Sequence, residues 1–337
     1  MDLNQKFELV KRNTQEILTE NELKELLKNK KITSYYGTAP TGPFHIAYLV
    51  PLSKLFDFDK AGIKNKILIA NIHAALDDLK TGWDRIDLVG SYYKKCIELA
   101  FPWDKKPGFV YGSSFELKDK YVLDILKLST ITTVARSTRA ASEVTRMKNP
   151  KVSELIYPLM QALDEEYLDV DIQLGGIDQR HILAYAREFL PSIGYKQRVE
   201  IMTPLIASLK GPGTKMSASI KESHIKIYDN EEDIKSKIKN AYCPEGVIAE
   251  NPVLQLAKFI VFPVNKKIKI TRDKKYGGDV LFKEYADLEK DFASKKLHPA
   301  DLKMAVSSEV INIFSKARKY FEKNRDILKE LGDNFIN

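Results

Sequence analysis

Residues 32–70 read ITSYYGTAPTGPFHIAYLVPLSKLFDFDKAGIKNKILIA, and the order of residue types in this stretch decides the fold class. Ile32-Thr33-Ser34-Tyr35-Tyr36-Gly37 is β-branched and aromatic, as a strand requires, and it runs into the turn formers Ala39-Pro40-Thr41-Gly42. From His45 the apolar positions recur at helical spacing as far as Gly62, which suits a helix C-cap because glycine adopts the left-handed conformation without a Cβ clash. Ile67-Leu68-Ile69-Ala70 then returns to a continuous apolar run. Strand, loop, helix and strand make a βαβ unit.

Working upstream, Phe7, Val10, Ile17, Leu18, Leu23, Leu26 and Leu27 recur at helical spacing, which predicts an opening amphipathic helix or pair of helices over residues 1–30. Downstream, YPLMQALDEEYL reads as a helix with Pro158 near its first turn, and VDIQLGG as a short buried strand. Repeated alternation of this kind predicts an α/β domain over residues 31–220, with a Rossmann-like, doubly wound parallel sheet. From Lys221 the pattern turns helical: Asp229 and Glu232 stand at capping-box spacing before IKSKIKNAY, and residues 254–262 and 301–324 are amphipathic. A separate helical domain over residues 221–337 is expected. The sequence has no internal repeat and no low-complexity linker.

Composition narrows the class of protein. Hydrophobic residues make up 44% and charged residues 30%, an ordinary globular balance. The 54 Lys and Arg exceed the 46 Asp and Glu, so the formal charge of +8 favours a polyanionic partner without requiring one. Cys96 and Cys243 lie far apart with no CxxC spacing, so neither a disulfide framework nor a thiolate zinc site is suggested, and a cytoplasmic setting is expected. The N-terminus lacks the unbroken apolar core of a signal peptide, and no stretch approaches the ~20 apolar residues that cross a bilayer.

Four segments carry chemistry. The first is Gly37 to His45, at the end of a strand, where a Gly-rich turn lets backbone approach a nucleotide or simply makes a tight connection. His45 can donate to phosphate oxygens or cap the helix that follows, and Tyr48 lies over the same face. The second is Tyr157, Gln161 and Asp164, whose i, i+4, i+7 spacing puts them on one stripe of a helix among apolar neighbours. That stripe lines a pocket or, since Glu165 and Glu166 follow, a solvated edge. The third is Gly175-Gly176-Ile177-Asp178-Gln179-Arg180 between a strand and a helix, where Asp178 suits ribose hydroxyls or an ordinary helix cap. The fourth, Gly211-Pro212-Gly213-Thr214-Lys215-Met216-Ser217-Ala218-Ser219, pairs a flexible hinge with a cation and hydroxyls: a loop that closes over phosphates, or a plain solvated loop.

Taken together, YYGTAPTGPFHIAYLVPLSKLFDFDKAG, YPLMQALDEEYL, GGIDQR and KMSAS, in that order and spacing, resemble the archaeal and eukaryotic-type tyrosyl-tRNA synthetases, a class I family. The likeness runs over nearly the whole chain, including LHPADLK near its end. It implies an aminoacyl-tRNA ligase that activates L-tyrosine with ATP, accompanied by Mg2+, and joins it to tRNA-Tyr; no protein-bound metal cluster, no membrane partner and a homodimer are expected. By this likeness His45 and Tyr48 end the HIGH-type motif, and Lys215, Ser217 and Ser219 stand in the KMSKS-type loop. Gly37, Pro40, Gly42, Gly176, Asp178 and Met216 join His45 and Lys215 around ATP. Tyr35 and Asp164 match the residues that bind the substrate phenol, and Tyr157, Gln161 and Gln179 those at its amino end. Arg180 matches a position near the tRNA acceptor end, and Tyr276, His298 and Asp301 the anticodon-reading surface. A connective insertion roughly over residues 79–150 is also implied, with the C-terminal helical part as the anticodon-binding domain.

The chain departs from the family pattern at several positions. Tyr48 replaces the final histidine of the class-wide motif, as in the eukaryotic branch, and Ala218 replaces the central serine or lysine of KMSKS. Asn71 and Ala75 stand where the family has aspartate and tyrosine. The chain stops at Asn337, so no appended C-terminal domain is expected. A tryptophanyl enzyme shares the KMSAS form, and a catalytically silent RNA-binding paralogue is the alternative from another class; the Tyr157/Gln161/Asp164 stripe favours a phenol over an indole.

Overall fold

The structure is a computed structural model that describes residues 1–103, 105–145, 149–216 and 220–336. The chain divides into two compact units, one of residues 1–42, 54–94 and 105–204, the other of residues 43–53, 95–104 and 205 onward.

In the first unit, six strands form one sheet: β1 (Glu16–Leu18), β2 (Ile32–Thr38), β3 (Ile63–Ile69), β4 (Gly108–Tyr111), β5 (Ile172–Gly176) and β6 (Val199–Thr203). Their order is β1-β6-β5-β2-β3-β4, all parallel except β1, which pairs antiparallel with β6. The chain winds from β2 outward through β3 to β4, then returns to the other side of β2 for β5 and β6. Strand order therefore reverses between β2 and β5, the place where doubly wound sheets open a ligand crevice at their carboxyl ends. The predicted Rossmann-like α/β sheet is the one observed.

The helices of the N-terminal half are α1 (Leu3–Lys11), α2 (Glu20–Leu26), α3 (Leu49–Ala61), α4 (Asn71–Leu76), α5 (Ile86–Ala100), α6 (Asp119–Ile131), α7 (Val134–Thr145), α8 (Val152–Tyr167) and α9 (Arg180–Phe189). Gly62 ends α3 at φ +85, as its C-cap reading requires. A Cβ at Gly90 would lie 3.2 Å from both Ile69 and Tyr111, so glycine is what lets this part of α5 lie against β3 and β4. The N-terminal tie is polar: the buried Lys54 ammonium donates to the carbonyl of Leu9 at 2.7 Å and to Asp57 at 3.0 Å.

In the second unit, the hairpin β7 (Ala207–Ser208) and β8 (Gly211–Lys215) leads to α10 (Glu231–Asn240), and α11 (Pro252–Leu256) continues through a π-helical turn at Ala257–Val261 into α12 (Phe262–Asn265). A second hairpin, β9 (Ile268–Ile270) and β10 (Val280–Phe282), precedes α13 (Tyr285–Ala293), α14 (Pro299–Ile313), α15 (Ser315–Lys323) and α16 (Arg325–Leu331). Ile234 and Ile238 of α10 and Leu302, Val306 and Val310 of α14 are fully buried, the apolar stripes that the helical spacing implies.

Three local readings need correction. The opening segment is not purely helical, because Glu16–Leu18 adds an edge strand through which Ile17 pairs with Ile201. Pro158 sits inside α8, which begins at Val152, so its missing N–H leaves the Glu154 carbonyl, four residues back, without its helical donor. The cap of α10 is Asn230, whose side chain accepts from the Asp233 N–H at 2.8 Å, while Asp229 accepts from the Lys226 N–H at 2.9 Å. Residues 79–150 supply β4 of the sheet as well as α5, α6 and α7.

Candidate active site

In the first unit, α8 carries the stripe that the sequence places on one face. Tyr157 and Asp164 are buried, Gln161 half-buried. Asp164 accepts a hydrogen bond at Oδ1 from the Tyr121 hydroxyl at 2.8 Å, and its Oδ2 lies 3.8 Å from His73 Nε2. Tyr35, on β2, belongs to the same buried cluster as Tyr121, Tyr157 and Leu163, and its hydroxyl donates to the Gln161 carbonyl at 3.4 Å. Burial, then the charges of Asp164 and Glu165, hold the Tyr35 phenol well above its ordinary pKa, so it stays a neutral donor. Tyr121 is raised likewise by burial and then by Asp164. Tyr157 and Asp164 are buried among aromatic side chains, so the solvated-edge alternative does not hold.

The amino-end candidates also come together. Gln161 donates from Nε2 to Gln179 Oε1 at 3.1 Å, and Tyr157 feels the charges of Asp77, Asp164 and Asp178 after the larger effect of burial. Gly175 packs tightly on Gln179, whose Cβ would be 3.3 Å from an added methyl. Neither the 3-10 turn Ile177–Gln179 nor α9 has a side-chain cap, so the capping alternative for Asp178 is not what the structure contains. Gly37 lies near the end of β2 with Pro40 and Gly42 just beyond it, and Gly176 ends β5, its neighbour at the strand-order reversal, with Asp178 just beyond. The Pro40 carbonyl is braced by the Thr81 hydroxyl at 2.6 Å. Arg180 is paired with Glu16 of β1 through two hydrogen bonds of 2.7 and 2.9 Å.

The second unit contains the other motif residues. His45 caps the turn Ile46–Tyr48, its Nδ1 accepting from the Ala47 N–H at 3.3 Å, which leaves the ring hydrogen on Nε2. Burial, then the proximity of His224, drops its pKa to about 3, so His45 is a neutral donor, not a cation. Its ring lies 4.7 Å from that of Tyr48 and 5.2 Å from that of His224, a neighbour that the sequence reading did not single out. Met216 is buried next to β8, its N–H donating to the Ile206 carbonyl at 3.3 Å. Ser217 and Ser219 lie outside the described residues, as does the side chain of Lys215. Tyr276 is 65% exposed with the Lys275 ammonium 4.8 Å above its ring. His298 caps α14 through Nδ1 to the Ala300 N–H at 3.1 Å, and Asp301 stands in that helix's first turn.

His73 and Glu116 were missed. Both are buried beside Asp164, and their only signals in sequence are single polar letters in the apolar contexts ANIHAAL and SSFEL. His73, Glu116 and Asp164 offer three ligand atoms within 4.8 Å of one another. A histidine between two carboxylates at 3.4 and 3.8 Å, one of them already held by Tyr121, is the pattern of an ion-pair cluster, and neither ring nitrogen of His73 makes a hydrogen bond in it. Asn71, unusual against the family pattern, is a buried hub: it donates to Asp87 and Ser113 and accepts from the Ser113 N–H, three bonds that need both a donor and an acceptor.

A family model for class I tRNA synthetases (W and Y) matches residues 27–315. The cytoplasmic tyrosine–tRNA ligase of Danio rerio is 42% identical, covering 95% of this chain and 61% of that protein, and the tyrosine–tRNA ligase of Archaeoglobus fulgidus is 43% identical, covering 95% and 98%. The chain spans about 61–63% of the length of the vertebrate relatives that it matches. Among solved structures, the tyrosyl-tRNA synthetase of Archaeoglobus fulgidus complexed with L-tyrosine superposes with a TM-score of 0.90 at 42% identity, covering 94% of this chain and 99% of that one. The tryptophanyl-tRNA synthetase of Aeropyrum pernix, at 17% identity and a TM-score of 0.69 over 93% and 85% of the two chains, shares the fold alone. From the motif-bearing strand ends to the C-terminal helices, the chain belongs to the class I tRNA synthetases (W and Y).

Proposed function

We propose that the protein is a tyrosine–tRNA ligase that activates L-tyrosine with ATP, taken as its Mg2+ salt, and then transfers the tyrosyl group to the 3′-terminal ribose of tRNA-Tyr. The observation that carries the reading is the buried Asp164 carboxylate among aromatic side chains, oriented by Tyr121 and near enough to Tyr35 to raise its phenol's pKa. A bare phenyl ring would bring this carboxylate no hydroxyl donor, which disfavours phenylalanine.

The amino end of tyrosine is assigned to Tyr157, Gln161 and Gln179, so that its carboxylate points toward the strand ends. There Gly37, Pro40, Gly42, Gly176 and Asp178 receive the nucleotide together with His45, Tyr48, Lys215, Met216, Ser217 and Ser219. The tyrosine carboxylate attacks the α-phosphorus and pyrophosphate leaves; the tRNA ribose hydroxyl then attacks the adenylate carbonyl and AMP leaves. A neutral His45 supplies an Nε2–H donor to the phosphates, and Lys215 the positive charge. No protein nucleophile is needed, because the chemistry is positioning and charge stabilisation. Arg180 serves the acceptor end of the tRNA, and residues 221–337 are the anticodon-binding domain, where exposed Tyr276 stacks on a base beside His298 and Asp301. Val122, Leu123 and Leu126, 41–57% exposed on one face of α6, fit the apolar contact of a homodimer. Buried, unbridged Cys96 and Cys243 fit a cytoplasmic location.

The test is tyrosine-dependent exchange of labelled pyrophosphate into ATP, run beside tryptophan and phenylalanine. Exchange is expected with tyrosine, with phenylalanine about 10⁴–10⁵-fold poorer in kcat/KM. Asp164→Ala is expected to abolish exchange; full activity in that variant would refute the pocket assignment.

A further inference from the structure

The hairpin of β9 and β10 ends in a loop, residues 271–279, that lifts Tyr276 into solvent. Within the loop, Asp273 caps the 3-10 turn Lys274–Tyr276: its side chain accepts from the Lys275 N–H at 3.1 Å, and its carbonyl accepts from the N–H groups of Tyr276 and Gly278 at 2.9 and 3.1 Å. Gly277 and Gly278 then reverse the chain at φ +101 and +72, which glycine adopts without strain. These bonds shape the turn but leave its direction free, because their partners all lie inside the loop. Arg272 supplies the outside contact. Its Nε donates to the Gly278 carbonyl at 3.0 Å and its Nη1 to the Lys296 carbonyl at 3.0 Å. Its own main-chain N–H donates to the Asp279 carboxylate at 3.2 Å, which Lys269 of β9 holds at 2.8 Å. Lys296 is itself fixed, since the N–H groups of Lys296 and Leu297 donate to the Asp291 carbonyl of α13 at 2.9 and 3.1 Å, and Leu297 is buried. Just beyond it, His298 caps α14, with Asp301 in the first turn.

We propose that Arg272 is a positioning residue for tRNA recognition: its guanidinium fastens the loop that carries Tyr276 to the segment that leads into His298 and Asp301, so that the stacking ring and the start of α14 are presented as one surface. The inference rests on the anticodon reading of residues 221–337. Arginine fits the task because its planar fork offers Nε and Nη1 in fixed directions, one for each carbonyl, whereas lysine has the charge but a single, swivelling ammonium. Among the described residues the Arg272 side chain makes no ion pair; its hydrogen bonds go to main-chain carbonyls of the two segments. An added methyl at Gly277 would lie 3.1 Å from Nη2, so the fork is seated directly against the turn. A ring held in place stacks on a base without first having to order its loop. On a loose loop that ordering cost is met at each encounter, and it lowers the affinity for tRNA.

Arg272→Ala and Arg272→Lys are compared with the wild type in aminoacylation of tRNA-Tyr and in pyrophosphate exchange, which needs no tRNA. Both variants are expected to raise the KM for tRNA about tenfold while exchange stays within about twofold of wild type, a split that separates faulty tRNA docking from a damaged fold or active site. Tyr276→Ala supplies the second arm. If Arg272 acts through that ring, Arg272→Ala should cost clearly less in the Tyr276→Ala background than in the wild type, a coupling that independent effects do not show. A wild-type tRNA KM in Arg272→Lys would mean that charge suffices, and equal costs in the two backgrounds would mean that Arg272 acts apart from Tyr276; either result would overturn the proposal alone. If Tyr276→Ala itself leaves the tRNA KM unchanged, the anticodon reading fails, and the proposal with it.

Discussion

Glu165 of α8 and Glu200 of β6 are both fully buried, and burial raises the pKa of each, with Glu165 pushing Glu200 up further. Burial is the largest cause for both; for Glu165 it is opposed chiefly by Arg198, and the result is about 8. The folded pKa thus lies above the unfolded value near 4.5, so the pair holds a proton that the unfolded chain releases. Its contribution is most favourable below pH ~4.5 and is lost as the pH rises toward ~8. Glu165→Gln is therefore expected to add roughly 1–3 kcal/mol at pH 9 and little at pH 5, measured by urea unfolding at both pH values. Destabilisation at pH 9 would mean that a charged Glu165 is matched by Arg198. At this scale the sequence was uneven. The i, i+4, i+7 stripe announced Asp164 because helix geometry alone puts those letters on one face. His73 and Glu116 reach it from two other segments, and nothing in a linear pattern tells which distant polar residue a fold will carry inward.

Among the elements, α6 presents Val122, Leu123 and Leu126 outward, with Leu117 and Ile131 exposed near its ends. Leu126→Asp would place a charge at the centre of this row. If α6 forms the proposed dimer contact, the variant should sediment as a monomer while the wild type sediments as a dimer, and a dimeric variant would move the contact elsewhere. The βαβ unit was legible because its three elements differ in period and are punctuated by glycine and proline. β1 was not: three residues are too few to show alternation, and Ile17 and Leu18 blend into the helical spacing on either side. The starts of α8 and α10 were misplaced for a related reason, since proline and capping residues are permitted at more than one position and packing decides which is used.

For the whole molecule, a formal charge of +8 and a proposed tRNA partner make binding electrostatic in large part. Affinity for tRNA-Tyr should fall at least about tenfold between 50 and 200 mM salt, the release expected from two or more phosphate contacts, and filter-binding titrations would show it. A flat response would count against the tRNA assignment. The two-part organisation was visible in the change from alternating to helical pattern near Lys221, although the second unit begins at residue 205 and also takes in residues 43–53 and 95–104, short segments whose allegiance depends on packing. Finally, the sheet ends on one side in a ribbon only three residues long, whose Glu16 is held by Arg180. Such a stub leaves too little free backbone for a stray chain to zip onto, so the border that most invites fibrous stacking in an open sheet is blunted during synthesis and storage alike.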